Sequence, residues 1–268
     1  MTTTVREDAP SAGAGGASAL LRVDELRRDF GGVWAVDGAS FTVARGAITS
    51  LIGPNGAGKS TVVGIVGGAI RPSSGQVVFD DEDITSLPPH ACARRGLVRT
   101  YQLSSEFGKL TVLENLLVAA PDQRGESLAT LVFGKRHWRE QEERAVIRAR
   151  GLLERFGMGE KEDEYAGNLS GGQKRLVEIM RGLMAEPKLL LLDEPMAGVN
   201  PPLAREIEGY LAQLASEGLT MLLVEHELEV VERLSQAVVM MALGRVIATG
   251  TMAELRSRPE VLNAYLAG

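Results

Sequence analysis

The run Gly53-Pro54-Asn55-Gly56-Ala57-Gly58-Lys59-Ser60-Thr61 limits what this chain can fold into more than any other stretch. An apolar, strand-like segment (residues 47–52) leads into it, and an apolar, helix-like segment (61–70) leads out. A polyphosphate needs many donors at close range, and glycines let backbone N–H groups turn inward with no Cβ in the way. The following helix adds its unpaired N-terminal N–H groups and the positive end of its dipole. Lys59 is then suited to the β- and γ-phosphate oxygens as a point charge, and the Ser60 hydroxyl to Mg²⁺. A glycine turn with no ligand is the weaker reading of a strand–loop–helix match. The residues from Gly53 to Thr61 are expected to hold a nucleoside triphosphate.

Composition sets the frame. A chain of 268 residues can bury a substantial core as one domain or two closely packed lobes. A formal net charge of -6 argues against nucleic acid or an anionic lipid surface as the main partner. Cys92 is the single cysteine, so no intrachain disulfide can form and a reducing compartment fits. No uncharged apolar stretch approaches the ~20 residues needed to span a bilayer, and the N-terminus lacks the apolar run of a secretory signal. A cytoplasmic protein is expected, with a membrane partner left open.

Residues 1–18, rich in Thr, Ala, Gly and Ser without periodicity, read as a disordered tail. Strands are expected over 20–26, 35–43, 47–52, 76–79, 97–101, 188–192, 219–224, 236–241 and 244–247. Helices are expected over 61–70, from Pro88-Pro89 to about 96, and over 111–155, 174–184, 203–216 and 252–267. Strands alternating with helices give an α/β core with a parallel sheet, and the helices from 111 to 184 make a second lobe. The basic stretch Lys135-Arg136-His137-Trp138-Arg139 is followed at once by Glu140, Glu142 and Glu143. A solvated, ion-paired helix face is the better reading there than a phosphate site.

Several positions carry chemistry. Ser170 is a good N-cap, and Gly171 and Gly172 leave backbone N–H groups free for an anion. The apolar run Leu189-Leu190-Leu191-Leu192 suits a strand buried on both faces, and it ends in Asp193-Glu194. Carboxylates there are costly unless they serve a cation or a reaction. Asp193 can hold Mg²⁺ directly or through water, and Glu194 can orient and deprotonate a water for in-line attack on the γ-phosphate. Phe30, followed by paired glycines, either caps a hairpin or stacks on an adenine face; spacing leaves both open. His226, just past a strand end, is either a polar surface residue or a hydrogen-bond partner of the γ-phosphate.

The phosphate loop, Gln102 in a loop after a strand, Leu169-Ser170-Gly171-Gly172-Gln173, Leu189 to Pro195 and then His226 occur in the order of an ATP-binding cassette ATPase. The resemblance covers residues 20–268. It implies a P-loop α/β core with a parallel sheet, an antiparallel β subdomain and a helical subdomain at about 103–185, with ATP and Mg²⁺ as cofactors. It implies a head-to-tail dimer in which Ser170, Gly171, Gly172 and Gln173 complete the partner subunit's nucleotide site. Phe30 becomes the adenine stacker, Gln102 a sensor of Mg²⁺ and water, and His226 the switch histidine beside Glu194 and Lys59.

Arg99-Thr100-Tyr101-Gln102, Leu110-Thr111-Val112-Leu113-Glu114-Asn115, Ala197-Gly198-Val199-Asn200-Pro201 and Val261-Leu262-Asn263-Ala264-Tyr265-Leu266 narrow the match. They resemble the first of two ATPase subunits of branched-chain amino acid importers, which also show asparagine at the position of Asn200. Gly108 and Tyr101 depart from a proline and a phenylalanine common in the family. The resemblance implies a second ATPase subunit, a transmembrane permease and an external solute-binding protein as partners, no nucleic acid, and residence at the cytoplasmic face of the membrane. Importers of urea or amides and the ATPase of lipopolysaccharide export are near relatives. A soluble cassette acting on ribosomes or DNA is disfavoured by the single cassette and the short helical lobe. A purely regulatory nucleotide module is disfavoured by intact Glu194 and Lys59.

Overall fold

Two hydrophobic patterns build two sheets. The computed structural model describes residues 18–100, 105–121, 135–259 and 261. Strand β1 (Ala19–Phe30) buries Leu21, Val23 and Leu26 and exposes Arg22 and Glu25, the alternation of a half-buried strand. It turns through Gly31 and Gly32 into antiparallel β2 (Val33–Ala44). Strand β3 (Ile48–Ile52) leaves for the second sheet, while β4 (Ser74–Phe79) and β5 (Glu82–Asp83) return to give a four-stranded antiparallel sheet, β2-β1-β4-β5.

The second sheet adds β6 (Leu97–Arg99), β7 (Leu189–Asp193), β8 (Thr220–Val224), β9 (Ala237–Ala242) and β10 (Arg245–Gly250). Its order is β10-β9-β3-β8-β7-β6, parallel throughout except for the β9–β10 hairpin. Every residue of β3 and β8 is buried, as a central parallel strand requires. Alternate residues of β7 serve opposite cores. Leu189 and Leu191 pack with α1 (Lys59–Val66) and the antiparallel sheet, whereas Leu190 and Leu192 pack with the helices of the other face.

Those helices are α3 (Val112–Val118), α4 (Lys135–Arg155), α5 (Gly171–Met184) and α6 (Pro201–Ser216), with Leu153, Met180 and Leu211 in one buried cluster. The short α2 (Pro89–Arg94) precedes β6, with Pro89 in its first turn as expected. Helices α7 (Leu228–Leu234) and α8 (Met252–Arg256) cover the β9–β10 end.

The differences from expectation have local causes. The helix expected over 61–70 ends at Val66, where Gly67 and Gly68 turn the chain. The helix expected over 111–155 is broken, because α3 is closed by Ala119 before Pro121. Helix α5 begins at Gly171, earlier than 174, because a full capping box satisfies its first N–H groups. Helix α7 was not foreseen: it makes barely two turns and has no side-chain cap. Helix α8 ends at Arg256, where Ser257 and Arg258 interrupt the span expected over 252–267, and residues 262–267 lie outside the described residues. The tail, Tyr101, Gln102, the side chains of Lys135–Arg139 and most of the C-terminal motif lie outside the described residues. No helix among the described residues is long and apolar enough to cross a membrane.

The topology gathers the chemistry at one edge. Strands β3, β7 and β8 run parallel, so Gly53, Glu194 and Glu225 all follow carboxyl ends of neighbouring strands. Open α/β sheets bind ligands at that edge.

Candidate functional site

Two close approaches set the loop between β3 and α1. A Cβ on Gly53 would lie 2.1 Å from the Met241 carbonyl oxygen, and one on Gly58 would lie 2.3 Å from that of Ala35. Gly58 also has a φ of 99°, a left-handed conformation that favours glycine. Strands β2 and β9 thus press the loop from both sides. The Gly244 N–H adds a hydrogen bond to the Ala57 carbonyl at 3.1 Å. A Cβ on Gly56 would meet nothing within 4 Å, so the crest of the loop faces open space. This backbone fits a phosphate cradle: held from below by close backbone packing and bare at its crest.

Lys59 is 8% exposed, and its Nζ donates to the carbonyls of Gly53 at 2.7 Å and Pro54 at 3.0 Å. An ammonium has three N–H donors, so these two bonds still leave one for a ligand oxygen. Burial lowers the ammonium pKa, and the charges of Glu194 and Asp193 oppose that shift.

Beside the loop lies a cleft of about 370 Å³, lined by Ser60, Arg99, Thr100, Arg175, Asp193 and Glu194 among others. The chain brings Ser60 here from α1, Asp193 and Glu194 from the end of β7, and Arg99 from β6. Asp193 is ion-paired with Arg99 at 3.1 Å, yet its side chain remains 30% exposed. Among the described residues no group of three or more His, Cys, Asp or Glu side chains could hold a metal. Mg²⁺ is commonly bound by one or two protein oxygens plus substrate phosphates, and Ser60 with Asp193 fits that donor set.

Glu194 takes a φ of 46°, uncommon for a residue with a Cβ, and its N–H is fixed to the Val224 carbonyl at 3.0 Å. Its Oε1 lies 3.8 Å from Nδ1 of His226, and both side chains are about half exposed. Glu225, the residue before His226, is buried, and burial pushes its carboxyl up to about 7. The N–H groups of Met196 and His226 and the His226 ring act against that rise, and Glu227 adds to it.

The remaining expected residues sit apart. Phe30 ends β1, half exposed, with the Arg28 guanidinium 4.5 Å above its ring. Ser170 and Gln173 cap α5 reciprocally: the Ser170 hydroxyl accepts the Gln173 N–H and the Gln173 amide oxygen accepts the Ser170 N–H. Gly171 is exposed, whereas Gly172 is buried where a Cβ would strike Leu203 at 2.3 Å. None of these residues lines the cleft, to which α5 contributes Arg175 instead. Asn200 accepts the Leu203 N–H at 3.0 Å, which caps α6. Gln102 lies outside the described residues, but Thr100 just before it reaches the cleft. Sequence reasoning missed Arg99 and Arg175 because nothing in a lone arginine's neighbours marks it for a site.

The chain is similar to known proteins along most of its length. The family model described as ABC transporter matches residues 36–197. A probable branched-chain amino acid transport ATP-binding protein LivG of Archaeoglobus fulgidus is 40% identical over 92% of this chain and 95% of its own. The high-affinity branched-chain amino acid transport ATP-binding protein BraF of Pseudomonas aeruginosa is 38% identical over 92% of this chain and 97% of its own. A solved ATP-binding cassette of an ABC transporter in its ADP conformation superposes with a TM-score of 0.82 and 38% identity, covering 94% of this chain and 100% of that one.

Proposed function

The chain belongs to the ABC transporter family of ATP-hydrolysing cassettes, and from that premise we propose that it powers an importer of branched-chain amino acids. The names of its relatives support the solute class. One observation carries the hydrolytic part: Ser60, Asp193 and Glu194 share one cleft, with His226 3.8 Å from the Glu194 carboxylate.

The residues divide the work by position. Backbone N–H groups of the loop from Gly53 to Thr61, in which Pro54 has none and Ala57 already donates to the Pro54 carbonyl at 3.2 Å, take the phosphate oxygens, and Lys59 adds its remaining donor. Ser60 and Asp193 would hold Mg²⁺, with Gln102 as a third contact. The ion, when bound, neutralises charge on the β- and γ-phosphate oxygens. Glu194 receives the proton of the attacking water, and His226 donates toward the γ-phosphate and steadies the Glu194 carboxylate. Phe30 stacks on the adenine. Ser170, Gly171, Gly172 and Gln173, which do not line this cleft, are assigned to the nucleotide of a second ATPase subunit.

The cassette has no membrane-spanning helix among its described residues, so solute must pass through permease subunits. A solute-binding protein on the far side and a position at the inner face of the membrane complete the reading. Helices α3, α4 and α5, within the expected span of about 103–185, are assigned to its helical subdomain. Uptake of labelled leucine, isoleucine and valine by cells lacking the gene tests it. Loss of all three, restored by the wild-type gene and not by Glu194→Gln, is expected. Wild-type uptake of all three with failure on urea or short amides would transfer the assignment to that solute class.

A further inference from the structure

Asp193, the carboxylate assigned to the metal, has a cation of the protein's own beside it. The Arg99 guanidinium donates from Nη2 to Asp193 Oδ2 at 3.1 Å. The Arg99 side chain is 17% exposed, so water and salt screen this charge less than that of a surface arginine. Its stem runs close to the end of α1, where a Cβ on Gly67 would lie 3.5 Å from the Arg99 Cδ. Among the described residues the cleft has a second arginine, Arg175, whose Nη1 donates to Glu178 at 2.5 Å within α5. Arg99 is therefore the arginine committed to the strand-end carboxylate, in the cleft that Ser60 and Glu194 also line.

A carboxylate beside a triphosphate repels it unless a positive charge offsets the carboxylate. Two cations on one carboxylate also repel each other, so each weakens the other's hold. We propose that Arg99 and a divalent cation are alternative counter-charges for Asp193, and that Arg99 thereby sets how strongly nucleotide binding depends on Mg²⁺. With the metal bound, Asp193 is neutralised and Arg99 adds little. Without it, Arg99 spares the nucleotide the full charge of Asp193. The two effects are linked, because the factor by which metal changes nucleotide affinity equals the factor by which nucleotide changes metal affinity. Removing the Arg99 charge therefore costs affinity mainly for metal-free nucleotide, and tightens metal binding to the nucleotide-loaded site. This inference rests on Asp193 being the metal anchor of an ATP site, as proposed above.

The test measures equilibrium binding of a fluorescent ATP analogue to the full chain, in EDTA and across a Mg²⁺ titration. Arg99→Gln and Arg99→Met remove the charge, and Arg99→Lys keeps it. Strand β6 is at the sheet edge, where substitution is tolerated best, and melting temperatures check that each variant folds. In EDTA, Kd is expected to rise about 10-fold or more for the two neutral variants, the worth of a hydrogen-bonded charge. Arg99→Lys is expected to stay within about threefold of wild type there. In saturating Mg²⁺ all three variants are expected within about threefold of wild type, with the half-saturating Mg²⁺ concentration lowered in the neutral ones. A neutral variant that weakens binding equally in EDTA and in Mg²⁺ has lost structure only, and would overturn the proposal. So would Kd values in EDTA that do not move. Asp193→Asn separates the premise from the inference. If it keeps wild-type Mg²⁺ dependence, Asp193 is no metal anchor and the reading of the site fails. If it loses that dependence while the neutral Arg99 variants change nothing, only the role of Arg99 falls.

Discussion

Glu194 Oε1 and His226 Nδ1 lie 3.8 Å apart at the carboxyl ends of adjacent parallel strands, each about half exposed. The pair is close enough to cooperate and open enough to admit water. Replacing Glu194 by Gln should leave nucleotide binding intact while lowering hydrolysis by roughly 10²–10⁴, the usual worth of a positioned base. With ATP retained, that variant should run as an ATP-dependent dimer on size exclusion. Lys59→Ala should behave oppositely, losing affinity because its charge addresses the phosphate. Near-wild-type ATP affinity in Lys59→Ala would count against the phosphate-loop assignment.

The glycines of the loop should not be equivalent. Gly58→Ala sets a Cβ against the Ala35 carbonyl at 2.3 Å and strains a φ of 99°. A loss of stability of several kcal/mol, on the order of 3, is expected, together with loss of nucleotide binding. Gly56→Ala meets open space, so only its φ of 78° opposes the change, and a cost of about 1 kcal/mol is expected. Denaturant titration of the two variants checks the order.

Glu225 should make stability fall as pH rises. Burial pushes its carboxyl up to about 7 in the folded chain, against 4.5 for a free glutamate. Between those values the folded state holds the proton more tightly than the unfolded one. The contribution is complete below the unfolded value and lost as pH rises through the folded one, up to about 3 kcal/mol. Comparing wild type with Glu225→Gln without nucleotide, by denaturation from acid to mildly alkaline pH, isolates this slope. Parallel stability curves for the two proteins would refute it.

The helical side should matter for transport more than for chemistry. The Phe107 ring lies 4.3 Å from the Arg181 guanidinium of α5, and the Phe107 carbonyl accepts from the buried Asn115 at 3.0 Å. Phe107→Ala removes the ring and leaves the Asn115 bond. It is expected to reduce amino acid uptake while most basal ATPase activity persists, measured in cells and on the purified chain respectively. Equal losses in both assays would argue against a coupling role.

By itself the sequence determined the elements whose signals are local. Glycine spacing marks the phosphate loop because only a bare backbone can turn its N–H groups inward, and Leu189 to Leu192 read as a buried strand because parallel strands are covered on both faces. The Ser170 cap was legible for the same reason: the capping residue and its partner Gln173 are three positions apart. Tertiary structure alone decided what depends on strands distant in sequence meeting in register. It set Arg99 on Asp193 across 94 positions, brought Arg175 into the cleft, and buried Glu225 next to the His226 that approaches Glu194. No pattern of neighbours encodes such a contact, because burial and charge pairing arise only when β6, β7 and β8 align their carboxyl ends.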